Sequence, residues 1–213
     1  MELIQQLITY DKALFVFLNT LNSTYFDSFM LSISKVGVWI PFYVSVVYVL
    51  IKSYSKSAVW HVLLLVLSVV LCDQISVLFK DNFMRLRPSH NPDFEQFIHL
   101  VNGKKGGYFG FVSSHAANTA GFAMLLILLT RNKILTIAVS VWVLLVSYSR
   151  IYLGLHYPLD IIGGITLGVL IALVLFFIAT RFQAFKMNFV DTKIATTTLV
   201  LTFVVIAILS IWI

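Results

Sequence analysis

Six stretches of this chain, at roughly 29–51, 58–79, 113–129, 134–152, 158–180 and 194–213, carry at most one charged residue each. A bilayer core is crossed by about 20 helical residues, so each stretch has the length of a membrane span. Backbone amides cannot stay unpaired in hydrocarbon, which leaves helices or a closed barrel. Strict apolar–polar alternation is missing, so the runs read as helices. The expectation is an all-α fold: a six-transmembrane-helix bundle forming a single domain over residues 1–213. Only 11% of residues are charged, against about 25% in soluble domains. Pro41 falls inside the first stretch and predicts a kink there.

The segment before the first stretch differs. Leu3, Ile4, Leu7, Leu14, Phe15, Leu18 and Leu21 recur at helical spacing with Gln5, Gln6, Asp11 and Lys12 between them. This predicts an N-terminal amphipathic interfacial helix, or else a short cap packed on the bundle. It lacks a basic region ahead of an apolar core, so it does not read as a cleaved signal peptide. Lys52 and Lys56, then Arg131 and Lys133, then Arg181, Lys186 and Lys193 follow alternate spans. The positive-inside rule places these loops in the cytoplasm of a plasma (inner) membrane protein, with both termini and a long loop over 80–112 outside. That outer loop breaks the rule with Lys80, Arg85, Arg87, Lys104 and Lys105, so its charges are expected to serve a site. Within it, Asn91-Pro92-Asp93 predicts a short helix with Phe94, Phe97, Ile98 and Val101 on its apolar face. The formal charge of +6 sits at span ends and in this loop, which favours a phosphate-bearing lipid over nucleic acid as partner. Cys72 is the sole cysteine, so neither an intrachain disulfide nor a cysteine metal cluster is available.

Three polar clusters mark span ends on one side: Lys80 to Pro88, Val112 to Ala116, and Ser149-Arg150 followed by His156 and Asp160. Lys80, Arg87 and Arg150 offer fixed positive charge, and an arginine fork can hold two phosphate oxygens. Ser113 and Ser114 stand where a helix begins, where free N–H groups and the positive dipole end bind anions. Asp160, four residues past His156, can reach one imidazole nitrogen and raise the basicity of the other. Such a histidine can attack phosphorus, with His115 as the acid for the leaving oxygen.

The clusters resemble the type 2 phosphatidic acid phosphatase superfamily, whose pattern is K-x6-R-P, then P-S-G-H, then S-R-x5-H-x3-D. Lys80 to Pro88 and Ser149 to Asp160 match in full; in the middle cluster Val112 replaces proline and Ser114 replaces glycine. The resemblance covers roughly residues 11–180, with the last span at about 194–213 beyond it. It implies a metal-independent, cofactor-free phosphohydrolase acting on a membrane lipid through a phosphohistidine at His156. Asp160 would be its partner, His115 the acid, and Lys80, Arg87, Ser113, Ser114 and Arg150 the phosphate ligands. Vanadate would mimic the transition state. Lipid A phosphate and undecaprenyl diphosphate are the favoured substrates, with phosphatidylglycerol phosphate as an alternative. Transfer of the phosphoryl group to an alcohol, and a non-catalytic transporter reusing the fold, are the rival activities.

Taken singly, each residue has a plainer reading. Lys80, Arg85, Arg87 and Arg150 could snorkel at span ends. His115 could be a satisfied buried histidine, and His156 with Asp160 a capping pair. Asp73 lies inside the second span and could bond across the bundle. His90 and His99 could touch substrate or simply be solvated. Trp39, Trp60, Trp142 and Trp212 partly fit interfacial belts.

Overall fold

The computed structural model describes residues 2–93, 96–182 and 190–212. Among them the chain is helical, with one isolated antiparallel bridge between Leu86 and Phe109. The α-helices are α1 Glu2–Thr20, α2 Thr24–Ser34, α3 Ile40–Tyr54, α4 Ala58–Phe83, α5 Ser114–Thr130, α6 Lys133–Tyr152, α7 Pro158–Ala179 and α8 Lys193–Leu209. Three segments are long and apolar enough to cross a membrane: Val36–Phe83, Lys133–Tyr152 and Pro158–Ala179. Ser114–Thr130 and Lys193–Leu209 are shorter apolar helices that extend about 26 Å each at 1.5 Å per residue.

The first expected span, 29–51, is broken. α2 ends at Ser34, Lys35 is extended, a 3₁₀ turn runs over Val36–Trp39, and α3 starts only at Ile40. The Trp39 indole donates to the Ile33 carbonyl across the break at 2.9 Å. Pro41 therefore opens α3 rather than kinking a longer helix. It sits where an N–H would lack an intrahelical partner in any case.

The N-terminal helix exists, and two of its polar residues, Asp11 and Asn19, face the protein. Asp11, Phe15 and Asn19 are buried at helical spacing, while Leu3, Ile4, Leu7, Leu14 and Leu21 are exposed. Asn19 Nδ2 donates to the carbonyls of Tyr152 at 2.8 Å, Ile151 at 3.2 Å and His99 at 3.1 Å, and its Oδ1 accepts the His99 N–H at 2.7 Å. One carboxamide thus ties α1 to the last carbonyls of α6, which lack intrahelical partners.

The outer loop contains no α-helix among its described residues; Phe94, assigned to the apolar face of one, lies outside them. Asn91 Oδ1 accepts the Asp93 N–H at 3.0 Å, a local turn bond that competes with helix formation. Val101 instead packs with Met30, Tyr152, Leu153 and Leu155.

The core is aromatic near the broken span. Trp39 and Phe42 meet Trp142 edge to face at 5.7 and 5.5 Å, so Trp39 and Trp142 are core residues rather than members of a belt. α5 packs against α4, α6 and α7. Its approach to α7 is close enough that a Cβ on Gly168 would stand 2.2 Å from the Ala117 carbonyl oxygen, and one on Gly164 2.5 Å from that of Ser113. Small residues of this kind let membrane helices approach backbone to backbone. Here they bring the start of α5 against the start of α7, the two helix ends that carry His115 and Asp160.

Candidate active site

Four helix ends meet at one level: the end of α4 with Lys80, the start of α5 with Ser114 and His115, the end of α6 with Arg150, and the start of α7 with Asp160. His156 lies in the α6–α7 loop and is buried. His115 is within electrostatic reach of Arg150, His156, Arg87 and Lys80. The three clusters are therefore gathered into one site.

Backbone pairing positions the cations of the outer loop. The Arg87 N–H donates to the Tyr108 carbonyl at 2.9 Å and the Gly110 N–H to the Arg85 carbonyl at 2.8 Å, around the Leu86–Phe109 bridge. Residues two apart in extended chain share a face, so Arg85 and Arg87 both turn toward the site. Arg87 Nε donates to the Phe109 carbonyl at 3.0 Å. Gly110 is the point of closest approach: a Cβ there would stand 2.9 Å from Asp160 Oδ2 and 3.6 Å from His156 Nδ1.

The four cations do not have the same surroundings. Arg85 is bound by carboxylates on both sides, with Nη1 2.7 Å from Asp160 Oδ1 and Nη2 2.5 Å from Asp11 Oδ2. Its guanidinium also lies over the Tyr157 ring at 4.3 Å. Burial opposes its charge, but Asp160 and Asp11 outweigh burial and hold its pKa above the ordinary value. Lys80, Arg87 and Arg150 have no carboxylate partner among the described residues. Lys80 Nζ donates to Ser114 Oγ and Arg150 Nη1 to Ser34 Oγ, while Arg150 Nε is buried without a partner among the described residues. Serine hydroxyls orient these cations without neutralising them.

His156 Nδ1 is 3.5 Å from Asp160 Oδ2. That is ion-pair distance, but no hydrogen bond reaches this nitrogen among the described residues. The expected Asp160–imidazole bond is thus open, because Asp160 is occupied elsewhere. Its Oδ2 accepts the Tyr157 N–H at 2.9 Å as part of a capping box, and its Oδ1 accepts from Arg85. Burial holds the His156 pKa well below its ordinary value, and the charges of Arg87, Arg150 and Lys80 push the same way. At neutral pH the imidazole is uncharged and keeps a lone pair.

Ser113 differs from expectation. Its N–H is not free for an anion but donates to the Asp160 carbonyl at 3.0 Å, and its hydroxyl caps the Ala116 N–H at 3.5 Å. The N-cap position explains both bonds. The amides left open in the first turn of α5 are those of Ser114 and His115.

Arg85 was named from the sequence only among the outer-loop charges expected to serve a site and was given no role, and Asp11 and Asn19 were not singled out as site residues. The signal for Arg85 was present: in an extended Arg-x-Arg both guanidiniums share a face. Asp11 carried no comparable signal. Its Oδ1 accepts the Leu159 N–H at 2.8 Å, fixing the first turn of α7 from a residue 148 positions away.

Comparison with known proteins gives the family of the chain. Residues 58–184 match the PAP2 superfamily. The chain is 38% identical over 186 residues to a lipid A 4'-phosphatase of Bacteroides thetaiotaomicron, covering 85% of this chain and 82% of that one. It is 33% identical over 167 residues to an undecaprenyl-diphosphatase of Sulfolobus acidocaldarius, covering 77% and 76%. The fold is similar to the crystal structure of a transmembrane PAP2-type phosphatidylglycerolphosphate phosphatase from Bacillus subtilis, with a TM-score of 0.67 at 22% identity over 85% of this chain and 90% of that one. With its apolar helices and the polar site at their shared end, this chain is a multi-pass membrane protein that belongs to the PAP2 superfamily.

Proposed function

We propose that the chain is a lipid phosphate phosphatase working through a phosphohistidine at His156. The observation that carries this is the pairing pattern of the charges: three cations without carboxylate partners surround one buried, neutral imidazole. Buried like charges repel unless an anion joins them, and a phosphoryl group with three equatorial oxygens is such an anion. Lys80, Arg87 and Arg150, with Ser114 and the open amides of α5, hold those oxygens. Ser113 acts by capping α5.

His156 Nδ1 faces Asp160, so Nε2 attacks phosphorus. The N–P bond forms, the bond from phosphorus to the lipid oxygen breaks, and His115 supplies the proton to that oxygen. Water then attacks phosphorus, the N–P bond breaks, and His115 takes up a proton from the water. Asp160 steadies the imidazole as positive charge develops, and all protein groups return to their starting states.

In this reading α3 to α8 are six spans. α3, α5 and α7 leave the site end and α4 and α6 return to it. Lys52, Lys56, Arg131, Lys133, Arg181 and Lys193 lie at the far ends, which by the positive-inside rule supports a site on the outer, periplasmic or extracellular, face of the inner membrane. α1 lies along that face with its apolar side toward lipid. Lys104, Lys105, Tyr108, Phe109 and Phe111 receive the headgroup. The named relatives favour lipid A phosphate first and undecaprenyl diphosphate second as substrate.

The test is phosphate release by detergent-purified protein from lipid A, undecaprenyl diphosphate and phosphatidylglycerol phosphate. Wild type should release phosphate from at least one, with His156→Ala slower by about 10³-fold or more. Undiminished release by His156→Ala would sink the proposal. Free phosphate as the sole phosphorus product in the presence of a lipid alcohol excludes transfer.

A further inference from the structure

Beside the site, α3, α4 and α5 leave an apolar cavity of about 340 Å³. His115, Asn118, Thr119 and Phe122 of α5 line one wall, at the spacing that puts four residues on one helix stripe. Phe122 lies about 10 Å below His115 along the axis, and Tyr43 of α3 and Val66 of α4 face this wall. A lipid whose phosphate sits at His156 has its next atoms here.

Among the described residues, one buried polar atom of the cavity lining is left unsatisfied by the protein. Asn118 Oδ1 is buried and has no hydrogen-bond partner among the described residues. The neighbouring Thr119 hydroxyl donates to the His115 carbonyl at 2.7 Å, so it is not the donor that Asn118 Oδ1 lacks. A buried carbonyl oxygen in apolar surroundings is costly unless a donor reaches it. Asn118 lies three residues, about 4.5 Å of helix rise, below His115, so that donor belongs within a few bonds of the scissile oxygen.

We propose that Asn118 selects the substrate class by accepting a hydrogen bond from a hydroxyl or amide N–H of the lipid. Preferred substrates then carry such a donor near the phosphate, as amide-linked or hydroxylated chains do. Polyprenyl and ether-linked lipids have none and leave the carboxamide unpaired. The proposal rests on the phosphatase reading above and names its substrate class.

The test compares wild type on two phosphomonoesters of matched chain length in one detergent. Ceramide 1-phosphate has amide and hydroxyl donors; di-O-alkylglycerol 3-phosphate has neither. Wild type should show kcat/KM about tenfold higher on the ceramide lipid, the worth of one good hydrogen bond. In Asn118→Leu the ratio should fall to about one, with Asn118→Ala run beside it in case the larger side chain misfolds. A wild-type ratio near one means that water satisfies the carboxamide and overturns the proposal. A ratio kept in the variants, whatever their absolute rates, overturns it as well. If His156→Ala matches wild type on both lipids, it is the phosphatase reading that fails, and the two failures are told apart.

Discussion

Replacing Arg85 by methionine removes the one guanidinium shared by two buried carboxylates. Asp11 and Asp160 side chains are 1% and 0% exposed, and Arg85 holds them at 2.5 and 2.7 Å. Removing one partner of a buried pair costs about 3–5 kcal/mol, because the other is left as an uncompensated charge. The Arg85 side chain is 23% exposed, so water offsets part of the loss and about 3 kcal/mol is expected. At about 2–4 °C per kcal/mol for a chain of this size, thermal unfolding in detergent should drop by about 6–12 °C. The diagnostic step is the second substitution. Adding Asp11→Asn removes one stranded charge and keeps an acceptor for the Leu159 N–H, so the double variant should recover about 1–2 kcal/mol over Arg85→Met alone. kcat should stay low in both, since Asp160 has lost the group that holds it, while KM changes little because Arg85 is not among the phosphate cations. A double variant less stable than Arg85→Met would refute the reasoning. It would show that Asp11 stabilises α7 by itself and that the carboxylates are not coupled through Arg85.

Two further outcomes follow from the geometry. The folded chain keeps His156 neutral at pH values where an unfolded histidine takes up a proton, so the unfolded state binds more protons below about pH 6.5. Stability of the ligand-free protein should therefore fall with acidification, by up to about 1.4 kcal/mol per unit from this residue. Unfolding scans from pH 7.5 to 5.5 should show a steeper loss in wild type than in His156→Gln, and equal slopes would count against a buried neutral imidazole. Gly168→Leu should abolish a monodisperse peak in detergent chromatography, since even its Cβ would stand 2.2 Å from the Ala117 carbonyl oxygen, whereas Gly107→Ala, with nothing within 4 Å, should be tolerated. Normal elution and activity of Gly168→Leu would mean that α5 and α7 are not so closely packed.

What could be read from the sequence follows from which forces act locally. The ends of α4, α5, α6 and α7 were legible within a few residues, because the length of an apolar run and the first polar residue after it decide where a membrane helix stops. Lys80, Arg87, His115, Arg150, His156 and Asp160 sit at those ends, so placing the ends placed the residues. The split of 29–51 was hidden because Lys35 is the single charge in an otherwise apolar run of span length; what breaks the helix is Trp39 docking on Ile33 and Trp142, a tertiary contact. Ser113 was misread for a similar reason, since the acceptor of its N–H is the carbonyl of Asp160, on another helix.

No face of α1 was assigned to the bundle from sequence, and the reason is a deeper one. In a soluble protein the apolar stripe of a helix marks the face it buries. In a bilayer, lipid accepts that stripe, and the contacts that hold helices together shift toward polar groups and small residues. Asp11 and Asn19, the polar interruptions of an apolar pattern, are the residues that fix α1 to the bundle, and Gly164 and Gly168 do the same between α5 and α7. The same inversion separates the charges at the site. Arg85, tied to two carboxylates, is framework; Lys80 and Arg150, oriented by serines, and Arg87, oriented by the Phe109 carbonyl, have no carboxylate partner among the described residues and are the cations available to an anion. Basic residues at span ends look alike in sequence, and their acid partners tell them apart. Those partners came from residues 74 and 75 positions distant, beyond the reach of any local pattern.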